Sequence, residues 1–164
     1  MMKVIVIGCP GAGKSTFSRK LREQTDMPLH YLDRLWHNDD RTTVSEAEFD
    51  QDLTAILQQE NWILDGNYLR TLELRLQACD TVFFLDYPVE VCLAGVETRI
   101  GKDREDLPWV ETEFEAEFKQ WILDFAKDQR PQICQLLDKY QATKNIFIFK
   151  TREAATAYLN ADKK

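Results

Sequence analysis

The 164-residue chain has no apolar stretch approaching a membrane span, and its first residues run into a candidate core strand rather than a cleavable leader. The expectation is a cytoplasmic protein with no membrane partner. Cysteine is sparse: Cys9, Cys79, Cys92 and Cys134 stand far apart, with no C-x-x-C pair and neither His30 nor His37 beside them. That spacing speaks against a zinc site, and a disulfide framework does not suit the cytosol, so buried thiols are expected. Cys9 differs from the others because it falls inside a glycine-rich loop, where alkylation would obstruct a ligand. A basic excess is also missing. Lys and Arg number 21 against 28 Asp and Glu, for a net charge of −7. Sequence-independent binding of DNA or RNA works by neutralising phosphates, so this balance argues against direct nucleic-acid binding. No repeat, low-complexity tract or linker interrupts the chain. It reads as a single compact unit over residues 1–164, long enough to bury a core.

What is present begins at residue 3. Lys3 to Thr16 reads KVIVIGCPGAGKST, a Val/Ile strand running into a complete G-x-x-x-x-G-K-[ST] loop filled by Gly8, Gly13, Lys14 and Ser15. Glycines let successive backbone N–H groups curl inward onto phosphate oxygens. A helix beginning near Lys14 adds the positive end of its dipole. Phe17 and Leu21 open its apolar face. Gly8, Pro10, Gly11, Ala12, Gly13, Lys14, Ser15 and Thr16 are therefore the candidate nucleotide contacts. Lys14 can reach the β- and γ-phosphates of ATP, and Ser15 can offer a hydroxyl to Mg²⁺.

Five short, nearly all-apolar segments (3–7, 29–32, 61–65, 81–86 and 145–149) suit strands buried on both faces of a parallel sheet. Between and after them lie helical segments at about 14–24, 45–59, 69–78, 88–99, 110–139 and 152–160. Ser45 followed by Glu48 is a capping-box signature. Trp109, Phe114, Phe118, Trp121, Ile122 and Phe125 recur at mainly helical intervals, and Pro131 divides that long segment or starts a second helix. The alternation predicts a three-layer α/β/α fold with right-handed crossovers. Ligands in such folds gather at the carboxyl ends of the strands, where Gly8, Asp33, Asp65 and Asp86 fall.

Asn61 to Thr71 (NWILDGNYLRT) resembles the strand-three segment of adenylate kinases and related small-molecule kinases, with one extra residue before the arginine. Thr81 to Pro88 resembles their fourth strand, and Arg99-Ile100 with Lys102 and Arg104 resembles the start of their lid. Leu32 to Trp36, Trp62 to Tyr68 and Gly101 to Asp106 are closer still to the bacterial DNA-topology-modulation proteins, an adenylate-kinase-like branch. This resemblance covers nearly the whole chain. It implies a P-loop NTPase fold with a five-stranded parallel sheet in the order 2-3-1-4-5 and a short lid at about 100–112. It also implies an ATP- and Mg²⁺-dependent kinase with a small-molecule acceptor, a nucleoside or nucleotide foremost. A nucleotide-binding regulator with little or no transfer, affecting DNA topology indirectly, is the alternative.

Individual residues keep two readings each. Asp65 can hold a magnesium-bound water beside Ser15, or cap the loop that follows its strand. Asp33 can orient or deprotonate an acceptor hydroxyl, or serve as a turn residue, and Arg34 can bind an acceptor phosphate. By the resemblance Arg70 grips such a phosphate, although the extra residue can rotate it away; Asn67 and Tyr68 line the same turn. Trp36 and His37 lie just beyond Asp33 and read as core or as acceptor contacts. Arg99 and Arg104, less so Lys102, can close over the transferring group, or form a solvated helix end with Glu105 and Asp106 as partners. Glu111, Glu113, Glu115 and Glu117 read as a solvated helix face, and Asp86 reads as structural. The loop at Lys150, Thr151 and Arg152 borders the adenine in the family fold.

Overall fold

The computed structural model describes residues 1–161; residues 162–164 of the unit expected over 1–164 lie outside the described residues. The elements run β1 (Lys3–Gly8), α1 (Lys14–Thr25), β2 (Leu29–Tyr31), α2 (Leu32–Trp36), α3 (Glu46–Leu57), β3 (Trp62–Asp65), α4 (Leu69–Ala78), β4 (Thr81–Leu85), α5 (Val89–Arg99), α6 (Ala116–Asp128), α7 (Arg130–Tyr140), β5 (Asn145–Phe149) and α8 (Arg152–Ala161). All strand pairings are parallel, and the five strands lie in the order β2-β3-β1-β4-β5.

Burial explains why these runs are strands. Val4, Ile5, Val6 and Ile7 are each fully buried, so both faces of β1 are covered. Each such side chain contributes roughly 2 kcal/mol of burial, which makes β1 the spine of the sheet. β3 and β4 are buried throughout, whereas the edge strand β5 exposes Asn145 and Ile148. Phe17 of α1, Phe83 of β4, Phe147 and Phe149 of β5 and Tyr158 of α8 form one aromatic cluster, with ring centroids 5.0 to 6.2 Å apart.

The N-terminus of α3 is capped as expected: the Glu48 N–H donates to Ser45 Oγ at 3.1 Å. Pro131 sits in the first turn of α7 and so starts a second helix. The single helical segment expected over 110–139 is corrected on its N-terminal side, because helix begins only at Ala116. The Gly101 N–H donates to the Glu111 carbonyl at 2.6 Å, folding residue 111 back toward the end of α5. Trp109 is drawn against His37, ring to ring at 5.0 Å, rather than joining the helical aromatic face. The short helix α2, which carries Asp33 and Arg34, had no periodic signal of its own.

β1 and β3 are neighbours; the chain leaves β1 toward β2 on one side and leaves β3 toward β4 on the other, which opens a crevice at their carboxyl ends. Tyr31 on β2 and Val6 on β1 both stand in register with Asp65. The carboxyl ends of three adjacent strands thus meet at one place.

Candidate active site

That crevice is a cavity of about 970 Å³ bordered by the phosphate loop, α2, the turn after β3 and the segment between α5 and α6. On the loop side, Gly13 takes a left-handed conformation (φ 96°) at the start of α1, and no side chain caps the helix. Its first-turn N–H groups are therefore presented to an anion. Pro10, Gly11, Gly13, Lys14, Ser15 and Thr16 line the cavity. Gly8 and Ala12 do not; they underpin the loop. The Lys14 ammonium rests on the Gly8 carbonyl at 2.9 Å.

Three contacts fix the loop from outside. Asn67 pairs reciprocally with Gly8: its Nδ2 donates to the Gly8 carbonyl at 2.6 Å, and the Gly8 N–H donates to its Oδ1 at 3.0 Å. Arg152 donates to the Gly11 carbonyl at 3.0 Å. Gly95 of α5 lies so close that a Cβ there would stand 2.0 Å from the same carbonyl. Cys9 sits 5% exposed behind the loop. Its contact with the Cys92 side chain and its burial push the thiol up, away from the reactive thiolate.

Asp65 closes the floor of the cavity at 5% exposure, accepting from Ser18 Oγ at 3.3 Å. Burial pushes its carboxyl up to about 7; Lys14 and Ser15 pull the other way, while Asp106 and Asp33 add to the rise. Among the described residues no cluster of three carboxylate, imidazole or thiol groups could hold a metal alone. A magnesium ion bound mainly through phosphates and waters needs none, and the Ser15–Asp65 pair fits that arrangement.

The raised value makes a prediction for the metal-free protein. Below the ordinary value of 3.8, Asp65 is protonated in the folded and unfolded states alike. Between 3.8 and about 7 only the unfolded chain releases the proton, so stability is lost as pH rises through that window. Asp65→Asn should be near-neutral for stability at about pH 4 and stabilising at about pH 8. Urea denaturation with chelator present measures this, and an equal effect at both values would contradict the buried carboxylate.

Opposite the loop, Asp33 stands in the first turn of α2 and lines the cavity. The Tyr68 hydroxyl donates to its Oδ1 at 2.6 Å. Burial, with Asp33 next, pushes the Tyr68 phenol up, so it stays a donor. Phe49 stacks on the Tyr68 ring at 5.3 Å.

The third wall is the segment after α5. Arg104 makes a two-pronged pair with Asp106, at 3.0 and 2.6 Å, and also contacts Glu111. Burial works against its charge, but the Asp106 carboxylate outweighs it and holds Arg104 up. Arg99 lies 3.4 Å from Glu111, with its guanidinium 5.8 Å from the Phe118 ring centre. Burial lowers it, and Arg104 adds to the fall. Both arginines line the cavity, whereas the exposed Lys102 does not. Glu111 is an ion-pair partner inside this wall rather than part of a solvated helix face; Glu113, Glu115 and Glu117 border the cavity.

Several candidates lie elsewhere. Arg70 points away and pairs with Asp50 at 2.8 Å and Glu46 at 3.8 Å, so the structure does not bring it to the cavity. Arg34 is likewise turned from the cavity. It donates to the Glu105 and Leu107 carbonyls and so ties α2 to the segment after α5. Glu105 pairs with Arg22 at 3.1 Å and takes the Tyr31 hydroxyl, rather than a lid arginine. Trp36 packs edge-on against Phe49 outside the cavity, while His37 lines it. Asp86 is bound by Arg130 and Lys150, and Thr151 caps α8 by accepting from the Ala154 N–H. Sequence reasoning missed Arg19, Arg41 and Trp109 on the cavity wall, with Arg41 5.5 Å from the Trp109 ring centre. No motif marks these residues. Arg41 and Trp109 are placed by the path of two irregular segments, and Arg19 by the face of α1 that turns to the cavity.

No family model matches the chain, and no curated protein matches it. Solved structures do. The shikimate kinase of Acinetobacter baumannii, in complex with shikimate, aligns over 100% of this chain and 97% of its own, with TM-score 0.59 and 19% identity. The shikimate kinase of Bacteroides thetaiotaomicron covers 98% of this chain and 95% of its own at TM-score 0.56 and 17% identity. That of Aquifex aeolicus covers 98% and 92% at TM-score 0.53 and 16% identity. What is shared at these identities is the fold: a P-loop architecture with a five-stranded parallel sheet, of the kind that small-molecule kinases use. None of these three is a DNA-topology-modulation protein.

Proposed function

We propose that this chain is an ATP- and Mg²⁺-dependent phosphotransferase acting on a hydroxyl of a small molecule, working as one domain with a lid at about 100–112. The observation that carries the reading is the facing of two half-sites across one cavity. Lys14, Ser15 and Asp65 lie on one side, and Asp33, held by Tyr68, lies on the other. The long sequence resemblance and the likeness to shikimate kinases support it.

In this reading the loop N–H groups and Lys14 cradle the ATP phosphates, and Ser15 and Asp65 hold the metal. Magnesium supplies neutralisation of the β- and γ-phosphate charge. Asp33 orients the acceptor hydroxyl and takes its proton. Arg99 and Arg104 sit where charge develops on the transferring group, and Glu111 and Asp106 keep them in place. The chain does little covalent chemistry; it positions groups and offsets charge.

The acceptor is a hydroxyl-bearing small molecule. With Arg70 paired to Asp50, a nucleoside monophosphate loses the residue that would have gripped its phosphate. One neighbour binds shikimate, so hydroxylated acids belong in the test beside nucleosides. Among the described residues no helix is long and apolar enough to cross a membrane, and the acidic net charge disfavours direct nucleic-acid binding.

The experiment is a screen of nucleosides, nucleoside monophosphates and hydroxylated acids for acceptor-dependent ADP release, with Lys14→Ala as the blank. Acceptor-dependent release that the lysine change abolishes supports the reading. Tight ATP binding without transfer to any acceptor would contradict it and favour a nucleotide-binding regulator instead.

A further inference from the structure

Arg75 is fully buried on α4, and no carboxylate neutralises it among the described residues. Helix side chains slant toward the N-terminus, so from the last turn of α4 its guanidinium reaches back to the turn that precedes the helix. Nε donates to Thr71 Oγ1 at 3.2 Å and Nη1 to the Gly66 carbonyl at 3.0 Å. Nη2 donates to the Asn67 carbonyl and, at 3.1 Å, to that of Tyr68. Burial pushes the group down to about 9, which leaves it cationic at neutral pH.

A buried cation near the positive end of a helix is disfavoured twice. An apolar side chain of similar volume would fill the space at no such cost. What the guanidinium secures is the backbone of one turn, in which Tyr68 holds a left-handed conformation at φ 36°. The two residues of that turn face different ways: Asn67 pairs with Gly8 under the phosphate loop, and Tyr68 bonds Asp33 across the cavity. We propose that Arg75 is a positioning residue that sets the nucleotide half and the acceptor half of the site together, by clamping the carbonyls of Gly66, Asn67 and Tyr68. For the acceptor half this rests on the phosphotransferase reading; for the nucleotide half it does not.

The test compares the full-length protein with Arg75→Lys, Thr71→Val, Asn67→Ala and Tyr68→Phe, using calorimetric Mg·ATP affinity, kcat and KM for an acceptor, and melting temperature. A lysine keeps the charge but cannot span the three carbonyls. Arg75→Lys is expected to weaken Mg·ATP binding about 10-fold and lower kcat about 100-fold together. Thr71→Val, which removes the Nε acceptor together with the hydroxyl's own 3.1 Å bond to the Tyr68 carbonyl, should move both quantities in the same direction by smaller factors. Asn67→Ala should lower chiefly ATP affinity, and Tyr68→Phe chiefly kcat. Unchanged affinity and kcat in a folded Arg75→Lys with a lowered melting temperature would overturn the proposal; if that variant does not fold, the same result in Thr71→Val overturns it. A wild-type protein that binds Mg·ATP yet transfers to no acceptor would refute the phosphotransferase reading. The affinity measurements would then still decide the role of Arg75 at the phosphate loop.

Discussion

Lys14→Ala is expected to lower ATP-dependent transfer about 1,000-fold while leaving the fold intact. Among the described residues the ammonium's hydrogen bonds go to carbonyls of its own loop, at 2.9 Å to Gly8 and 3.5 Å to Cys9. Removing such a bond costs about 1 kcal/mol of stability at most, far less than the loss expected in the barrier. The cation lies in the cavity between the loop and Asp65, where it would meet the phosphate charge that grows during transfer. Steady-state ADP release and a melting curve check the two halves of this statement. A variant that melts normally and keeps its turnover would remove the loop from the chemistry.

Asp33→Asn carries the second large effect, a fall in kcat of about 100-fold or more with Mg·ATP affinity unchanged. Asparagine retains an oxygen for the Tyr68 hydroxyl, which donates to Asp33 at 2.6 Å, so the wall keeps its shape. What is lost is the capacity to take a proton from the acceptor. The split between affinity and turnover separates this role from a structural one, because collapse of the turn would move both through Asn67 and Gly8. Unchanged turnover would reduce Asp33 to a first-turn residue of α2.

Much of this architecture was legible in the sequence because its signals are local. The Val/Ile run, the glycine-lysine-serine loop and the capping pair at Ser45 and Glu48 each carry their meaning within a few residues, and the structure places them accordingly. The strand order came from the resemblance, since no local signal orders parallel strands. The acceptor side was less legible because its geometry depends on long-range partners. Arg70 was diverted by Asp50 and Glu46 on α3, which no spacing in its own segment encodes. Arg34 was taken up by the carbonyls of residues 105 and 107, far along the chain. The aromatic periodicity across 109–125 read as helix, but its first part is held in an irregular path by the Gly101–Glu111 bond and by His37. No motif in its helix marks Arg75, and only the fold shows it buried against three carbonyls.

Whether the γ-phosphoryl group of ATP moves to a hydroxyl or to water is followed directly by phosphorus NMR of Mg·ATP incubated with the wild-type protein and the acceptor mixture. Transfer to a hydroxyl predicts loss of the γ-resonance with matched growth of a phosphomonoester signal, absent with Asp33→Asn and with Lys14→Ala. Growth of inorganic phosphate alone, or an unchanged ATP spectrum with every acceptor, would contradict it.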